Sequence, residues 1–389
     1  MDLHSAYAGN ESVYITPEHI ALREQIARFL ANEVEPFGAT WEEQGSVPRD
    51  VLRRMGALGL FGITYPPEYG GAGADALTSL VFAEALSRST FGGFVVTVLV
   101  HTDMASPHLA HAGSKAQLER YLPSIIRGET ITAVAVTEPD AGSDVRAIRT
   151  RARRDGDQWV LNGTKMFITN GVHADVYFVA ARTDPDSKGS QSISMFIVEK
   201  GAPGFRVGRA LHKTGWLCSD TAELIFEDCR IPAENLLGEE NAGFYAVMRN
   251  FQTERIALAA MAVGHAMTAL ALTLDYVRTR RAFGAVLYGH QAVRHRLAML
   301  QAKTAAARQF LYHCAWLATQ GRECVREVSM LKALTGELVN EVVYTCQQFH
   351  GGMGYMRETP IERLWRDARV LAVGGGATEV MLEEVAKRS

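Results

Sequence analysis

The stretch Asn250-Phe251-Gln252-Thr253-Glu254-Arg255-Ile256 leads into an apolar run, IALAAMAVGHAMTALALTL from Ile256 to Leu274, and the reading of that run decides the fold. The run is long enough to raise a membrane span, but Gly264, His265 and two threonines interrupt it and its flanks continue in helical pattern. A helix buried in a bundle is expected instead, with no span across a bilayer. Glu254 is the one carboxylate at its entrance. A glutamate placed there has a structural reading, because a helix N-terminus and a neighbouring Arg255 both favour negative charge. It also has a chemical reading, as a base held against an apolar wall.

The chain has 389 residues, long enough for two or three packed units. Acids and bases nearly balance at a net charge of −3, which argues against nucleic acid or an anionic membrane surface as the main partner. The five cysteines, Cys218, Cys229, Cys314, Cys324 and Cys346, form no CxxC pair, as suits buried thiols in a reducing compartment. No metal site is readable. The opening MDLHSAYAGNESVY lacks a basic region followed by an apolar core, so it reads as a loose lead-in to a cytoplasmic protein.

Thr16 followed by Pro17 announces a first helix, with Leu22, Ile26, Phe29 and Leu30 at helical spacing. A second run, Pro48 to Leu60, passes into Ile63-Thr64-Tyr65-Pro66-Pro67-Glu68-Tyr69-Gly70-Gly71, whose prolines and glycines forbid helix and strand alike. Helical pattern resumes at 75–88, 93–112 and 114–127. From Ile131 the chain turns β-branched: Ile131 to Thr137, Trp159 to Leu161, Lys165 to Thr169, Val176 to Ala180, Ser192 to Val198 and Ala222 to Phe226. Turn signals at Asp155-Gly156-Asp157, Asn162-Gly163 and Asn170-Gly171 separate these runs, which predicts an antiparallel β-barrel-like domain. Helices return at 243–279, 290–319, 323–349 and 378–388, the pattern of an antiparallel bundle. The fold class is therefore α+β, divided as an N-terminal helical domain (1–130), a central β domain (131–240) and a C-terminal four-helix bundle (241–389).

Four clusters could carry chemistry. Val136 to Asp144, VTEPDAGSD, ends a strand in small and hydroxyl residues, and reads either as a plain β-turn or as a loop offering N–H groups and the hydroxyls of Thr137 and Ser143 to a ligand. Gln348 to Tyr355 is a glycine-rich helix end, where capping is the plain reading. Arg278, Arg280 and Arg281 follow the long apolar helix, suited to its dipole or to a pyrophosphate. Gly374-Gly375-Gly376 precedes the last helix, and three glycines in a row suggest close approach by a ligand.

Taken together, VTEPDAGSD, NGTKMFITNG (Asn162 to Gly171), Phe226-Glu227-Asp228 ahead of Ile231-Pro232, RTRRAFG (Arg278 to Gly284), QFHGGMGY (Gln348 to Tyr355) and WRDAR (Trp365 to Arg369) resemble the acyl-CoA dehydrogenase family of flavoenzymes. The resemblance runs from about Thr16 to Lys387. It implies the same three-part architecture, a homotetramer with FAD at subunit boundaries, and an electron-transferring flavoprotein as acceptor. It places Val136, Thr137, Phe167, Ile168 and Thr169 around the flavin ring, and Arg280, Phe283, Gln291, Gln348, Gly351, Gly352 and Glu379 around the nucleotide end, partly across a dimer interface. Ser143 and Ser190 match positions that hold the CoA arm, Ser143 lying close to the flavin as well, and Arg255 matches a substrate-side arginine.

The family takes the α-proton of an acyl-CoA with a glutamate while the β-carbon gives a hydride to flavin N5. Many members carry that glutamate in a Tyr-Glu-Gly-Thr pattern before the last helix; here Gly374, Gly375, Gly376 and Ala377 stand there. Isovaleryl-CoA and long-chain members place the base in a Glu-Arg pair opening the long apolar helix, which Glu254-Arg255 matches. Glu254 is therefore expected to be the base, with its pKa raised by an apolar pocket, and the thioester oxygen is expected at the N–H of Gly375 and a ribityl hydroxyl. Gly374 and Gly375, where many members carry Tyr and Glu, are expected to leave volume beside the reacting carbons, and Val95, Val96, Leu99 and Val100 to line the acyl tunnel. A branched or medium-to-long acyl chain follows from this. The competing readings are an acyl-CoA oxidase or flavin monooxygenase on the same fold, and a non-catalytic acyl-CoA- or FAD-binding protein.

Overall fold

The computed structural model describes residues 12–184 and 189–389. Most of the N-terminal lead-in therefore lies outside the described residues. Helix α1 (Pro17–Phe29) begins as its cap predicts: the Thr16 hydroxyl accepts from the His19 N–H, and the His19 ring returns a bond to the Thr16 N–H. Short helices α2 (Gly38–Gln44) and α3 (Arg49–Ala57) lead to α4 (Ala76–Leu86) and α5 (Gly92–Leu99). A π-helical segment, Val100–Ala105, carries α5 into α6 (Ser106–Ala112) and α7 (Lys115–Ile126). The proline- and glycine-rich stretch before α4 holds only one 3₁₀ turn, Pro67–Tyr69.

The strands are β1 (Thr132–Ala135), β2 (Arg151–Asp155), β3 (Gln158–Thr169), β4 (Val176–Arg182), β5 (Ile193–Glu199), β6 (Phe205–Ala210), β7 (Thr221–Pro232) and β8 (Leu236–Leu237). They form one sheet in the order β6-β7-β3-β2-β4-β5-β8, with β1 against β4. Most neighbours are antiparallel, but β1 and β4 run parallel with Thr132 opposite Val176, and β2 meets β4 in parallel at Arg151 and Arg182. The sheet is thus mixed, because β1 enters from the helical domain rather than from a hairpin.

Asn162-Gly163 does not separate two strands. It is a bulge inside β3, where Gly163 takes φ 150° and a Cβ would stand 2.4 Å from the Thr150 hydroxyl. The Asn162 side chain ties the bulge to β7 through Asp228, donating to its carboxylate at 3.0 Å and accepting its N–H at 2.8 Å.

Strand β4 explains how the sheet joins the helices. Val176, Phe178 and Ala180 enter the large helical core, while Tyr177, Val179 and Ala181 fill the sheet's own core. Both faces are buried, so the strand reads as a continuous apolar run.

The last part holds α8 (Gly243–Thr279), the hairpin β9 (Arg281–Ala282) and β10 (Ala285–Val286), α9 (Gln291–Thr319), α10 (Val325–His350), α11 (Pro360–Ala368) and α12 (Thr378–Ala386). Helix α8 is long and apolar enough to cross a membrane, yet its most apolar window is 83% buried inside the protein. A Cβ on Gly264 would lie 2.5 Å from that of Ser87, so glycine lets α8 close on the end of α4. A buried network ties first and last helices: Arg308 of α9 donates to Glu84 of α4 at 3.0 Å and to the Tyr312 hydroxyl at 3.1 Å, and Arg23 of α1 reaches Glu84 at 3.3 Å. The five cysteines are free and buried.

Candidate active site

Glu254 does not stand at a helix entrance. Helix α8 starts at Gly243, so Glu254 lies about three turns inside it, beyond the reach of the terminal dipole. Its carboxylate makes no hydrogen bond or ion pair among the described residues. Burial pushes its pKa up to about 7, against the opposing pull of Arg255 and Lys332.

Across from it are the glycines before α12. A Cβ on Gly375 would lie 3.1 Å from Oε1 of Glu254 and 2.1 Å from Cδ1 of Leu258. At Gly376 it would meet Met381 at 2.7 Å and Nε of Arg255 at 3.7 Å. Both glycines have left-handed backbones, with φ of 63° and 104°. At Gly375 the expected open volume is therefore absent, because Leu258 and Glu254 occupy it, whereas a Cβ on Gly374 would meet nothing closer than Val370 at 3.6 Å. The glycines instead let α8 bring a carboxylate up to the turn. The N–H of Gly375 has no partner among the described residues.

Two cations flank the carboxylate. Arg255 is buried, with its guanidinium carbon 5.6 Å from the centre of the Phe251 ring and its Nε unpartnered. Lys332 of α10 is 2% exposed and donates to the Leu371 carbonyl at 2.8 Å and the Gly376 carbonyl at 3.1 Å. Burial pushes its pKa down to about 8. Sequence reading missed Lys332, although the signal was there: it sits in the buried stripe Val328, Leu331, Thr335 and Val339, where a lysine is out of place.

The loop after β1 is held to β3. The Met166 N–H donates to the Thr137 carbonyl at 2.9 Å, and buried Lys165 donates to the Val136 carbonyl at 2.9 Å and to Glu138 at 2.8 Å. Burial works to raise the Glu138 carboxyl, but Lys165 and the N–H groups of Arg149 and Thr150 outweigh it and hold it below its usual range. This pair, also missed from sequence, ties the loop of Val136 and Thr137 to the end of β3 that carries Phe167, Ile168 and Thr169, with Val136 and Ile168 buried. Phe167 is 67% exposed there on a backbone with φ 61°.

Helix α5, with Val95, Val96 and Leu99 buried, links this loop and strand end to Glu254. Asn170, after β3, donates to the Thr97 carbonyl at 3.0 Å, and Asn250 of α8 donates to the Met104 carbonyl at 2.7 Å, in the π segment that continues α5. Ser143 is exposed in its loop, and Ser190 opens a 3₁₀ turn. Arg182 bridges the two loops, reaching the carbonyls of Arg146 at 2.7 Å and Gly189 at 3.4 Å.

Arg280, Phe283 and Gln291 stand at the far end of α8, in the hairpin and at the start of α9. Gln348, Gly351 and Gly352 share that end, because Tyr276 stacks on His350 with ring centres 4.4 Å apart. Along α8 this group lies about 39 Å from Glu254. One chain does not bring the two together. Glu379 is exposed in the first turn of α12.

Three family models match the chain: the acyl-CoA dehydrogenase N-terminal domain over residues 16–129, the middle domain over 133–229 and the C-terminal domain over 241–389. The chain belongs to the acyl-CoA dehydrogenase family. Its members are FAD enzymes, and the chain is an oxidoreductase acting on acyl-CoA. It is 42% identical over 95% of its length to the mouse mitochondrial long-chain specific acyl-CoA dehydrogenase, covering 86% of that protein. It is 36% identical over 94% of its length to the isovaleryl-CoA dehydrogenase of Pongo abelii, covering 87%. The crystal structure of an acyl-CoA dehydrogenase from Geobacillus kaustophilus superposes with a TM-score of 0.94 at 40% identity, covering 97% of this chain and 99% of that one.

The donor set of this acyl-CoA dehydrogenase fits FAD. The hydroxyls of Thr137, Ser143 and Thr169 have no partner within the chain among the described residues, and Phe167 offers an exposed ring beside them. Nothing lies within 4 Å of a Cβ built on Gly351 or Gly352, so the backbone there is open to a ligand. Among the described residues, no cluster of side chains suits a metal ion.

Proposed function

We propose that the chain carries out FAD-dependent α,β-dehydrogenation of an acyl-CoA thioester with a branched or medium-to-long acyl group, using Glu254 as the base. The observation that carries this reading is an unpaired carboxylate, raised to about 7 by burial, with its Oε1 3.1 Å from where a Cβ of Gly375 would stand, on a turn whose Gly375 N–H has no partner among the described residues. Bound FAD supplies the hydride acceptor for the β-carbon. The chain's own residues do the rest. Glu254 takes the α-proton, the Gly375 N–H holds the thioester oxygen as charge builds on it, and Arg255 keeps the surroundings positive.

Val136, Thr137, Phe167, Ile168 and Thr169 hold the flavin ring in this reading, and Ser143 and Ser190 hold the CoA arm. Arg280, Phe283, Gln291, Gln348, Gly351, Gly352 and Glu379 hold the nucleotide end. The long separation of the Arg280 group from Glu254 supports sites shared between chains, and a homotetramer is the assembly proposed for them. The division at about residues 130 and 240 assigns cofactor and acyl chain to the meeting of three domains. A cytoplasmic location and an electron-transferring flavoprotein as acceptor complete the proposal. The wholly apolar Val95, Val96 and Leu99 support a hydrocarbon tail.

Anaerobic bleaching of the flavin by straight and branched acyl-CoAs tests it, with wild type beside Glu254→Gln. The wild type is expected to bleach while the variant binds substrate and stays yellow, with a rate loss of at least about a hundredfold. Equal bleaching by the variant would remove Glu254 from the mechanism. Bleaching by short straight chains alone would remove the acyl-chain assignment.

A further inference from the structure

We propose that Lys332 is a positioning residue for proton abstraction: its ammonium clamps the glycine turn that carries the Gly375 N–H, and its charge favours the ionised form of Glu254. The inference rests on the reading of Glu254 as the base, and deepens it.

The geometry has two parts. The turn is otherwise barely held. Val373 and Gly374 both donate to the Val370 carbonyl, but the bond from Lys332 to the Gly376 carbonyl is the one hydrogen bond made by Gly375 or Gly376 among the described residues. Their left-handed backbones, with φ of 63° and 104°, leave glycine its full freedom, so without that anchor the N–H of Gly375 has no fixed direction. The second bond, to Leu371, fixes the same ammonium to the segment leading into the turn.

The second part is charge. A buried ammonium bonded only to two carbonyls needs an opposite charge nearby. Two carboxylates act on Lys332, those of Glu254 and Glu337. Glu337 is already engaged, accepting from the Thr378 hydroxyl at 2.7 Å. Glu384 of α12 and Arg388 just beyond it act on Arg255 but pair with each other at 2.7 Å. Glu254 thus answers to two cations: Arg255 on its own helix and Lys332 on α10. Arg255 also lies over the Phe251 ring and, among the described residues, makes no hydrogen bond to the turn, whereas Lys332 donates to its Gly376 carbonyl.

The test removes the charge of Lys332, with and without a donor in its place, in the FAD-loaded protein. Lys332→Met removes both, Lys332→Gln removes charge but keeps a donor, and Lys332→Arg keeps the charge. Two readings are taken. The first is the pH profile of anaerobic flavin reduction. The second is the infrared band of the protonated Glu254 carboxyl, identified by its absence in Glu254→Gln and followed without turnover. In Lys332→Met the band and the acid limb of the profile are expected to move up by at least about one pH unit, slowing reduction about tenfold at pH 6. Lys332→Gln moves both alike and serves in place of Lys332→Met should that variant not fold. Lys332→Arg leaves both where the wild type has them. If band and limb stay in place in Lys332→Gln, the inference falls while the base assignment stands. If Glu254→Gln reduces flavin like the wild type, the base assignment falls, and the infrared band still reports whether Lys332 acts on that carboxyl.

Discussion

Glu254 holds its proton near neutral pH because three turns of helix carry it into apolar packing where no donor meets it. Its folded pKa of about 7 lies above the ordinary 4.5. A raised carboxyl pKa means the folded state binds the proton more tightly. That stabilisation is full below pH 4.5 and is lost as pH rises through about 7. Glu254→Gln, which never ionises, is therefore expected to gain stability over the wild type above pH 7, by at most about 3 kcal/mol. Melting temperatures at pH 5 and pH 8 check this, and equal differences at both would refute it. Catalysis runs the other way, since the base must be ionised: kcat/KM is expected to rise about tenfold per pH unit below 7 and to level off above it. Gly375→Ala tests the turn itself. The left-handed backbone should cost about 1–2 kcal/mol of stability, and the new methyl would press on Leu258 and the Glu254 carboxylate. Flavin reduction should slow more in that variant than in Gly374→Ala, where a Cβ meets nothing closer than 3.6 Å.

At the scale of elements, most helices and five of the eight strands of the sheet were legible because their signals are local, while the short α2 and α11 and the strands β2, β6 and β8 were not. Thr16 and Pro17 start α1 through bonds made within one turn, and the apolar run at 256–274 could only be a buried helix or a span. Strand β2, RARRD, was not legible: only Ala152 of it is buried, so no apolar alternation marks it. The bulge at Asn162-Gly163 looked like a hairpin because its dipeptide is the same; what keeps β3 running is Asp228, far along the chain. The same strand carries Lys165, whose ammonium neutralises Glu138 beneath the loop of Val136 and Thr137. Lys165→Met leaves that carboxylate buried without its cation, held only by the N–H groups of Arg149 and Thr150, which is expected to cost about 3–5 kcal/mol. The urea midpoint should fall accordingly, and Lys165→Met/Glu138→Leu should recover much of it. An unchanged midpoint in the single variant would show that the pair is not needed.

Across the whole molecule, Glu254 and the Arg280 end of α8 belong to different residue groups about 39 Å apart, and that far end displays side chains that a monomer would hide. Phe283 is 97% exposed and Tyr355 76%. With sites shared between chains, cofactor retention and assembly are coupled: Phe283→Asp is expected to shift the sedimenting species to smaller size and to release FAD on dilution. A variant that loses neither would confine each site to one chain. The sequence by itself determined the order of helices, strands and helices, the family, and Glu254 as the carboxylate to watch, because periodicity, turn chemistry and motifs are written in neighbouring residues. Only the tertiary structure decided what surrounds that carboxylate. Glu254, Lys332 and Gly375 belong to α8, α10 and the turn before α12, and no local rule connects them. Packing brings them together, filling with Leu258 the space that Gly375 alone would have suggested was open.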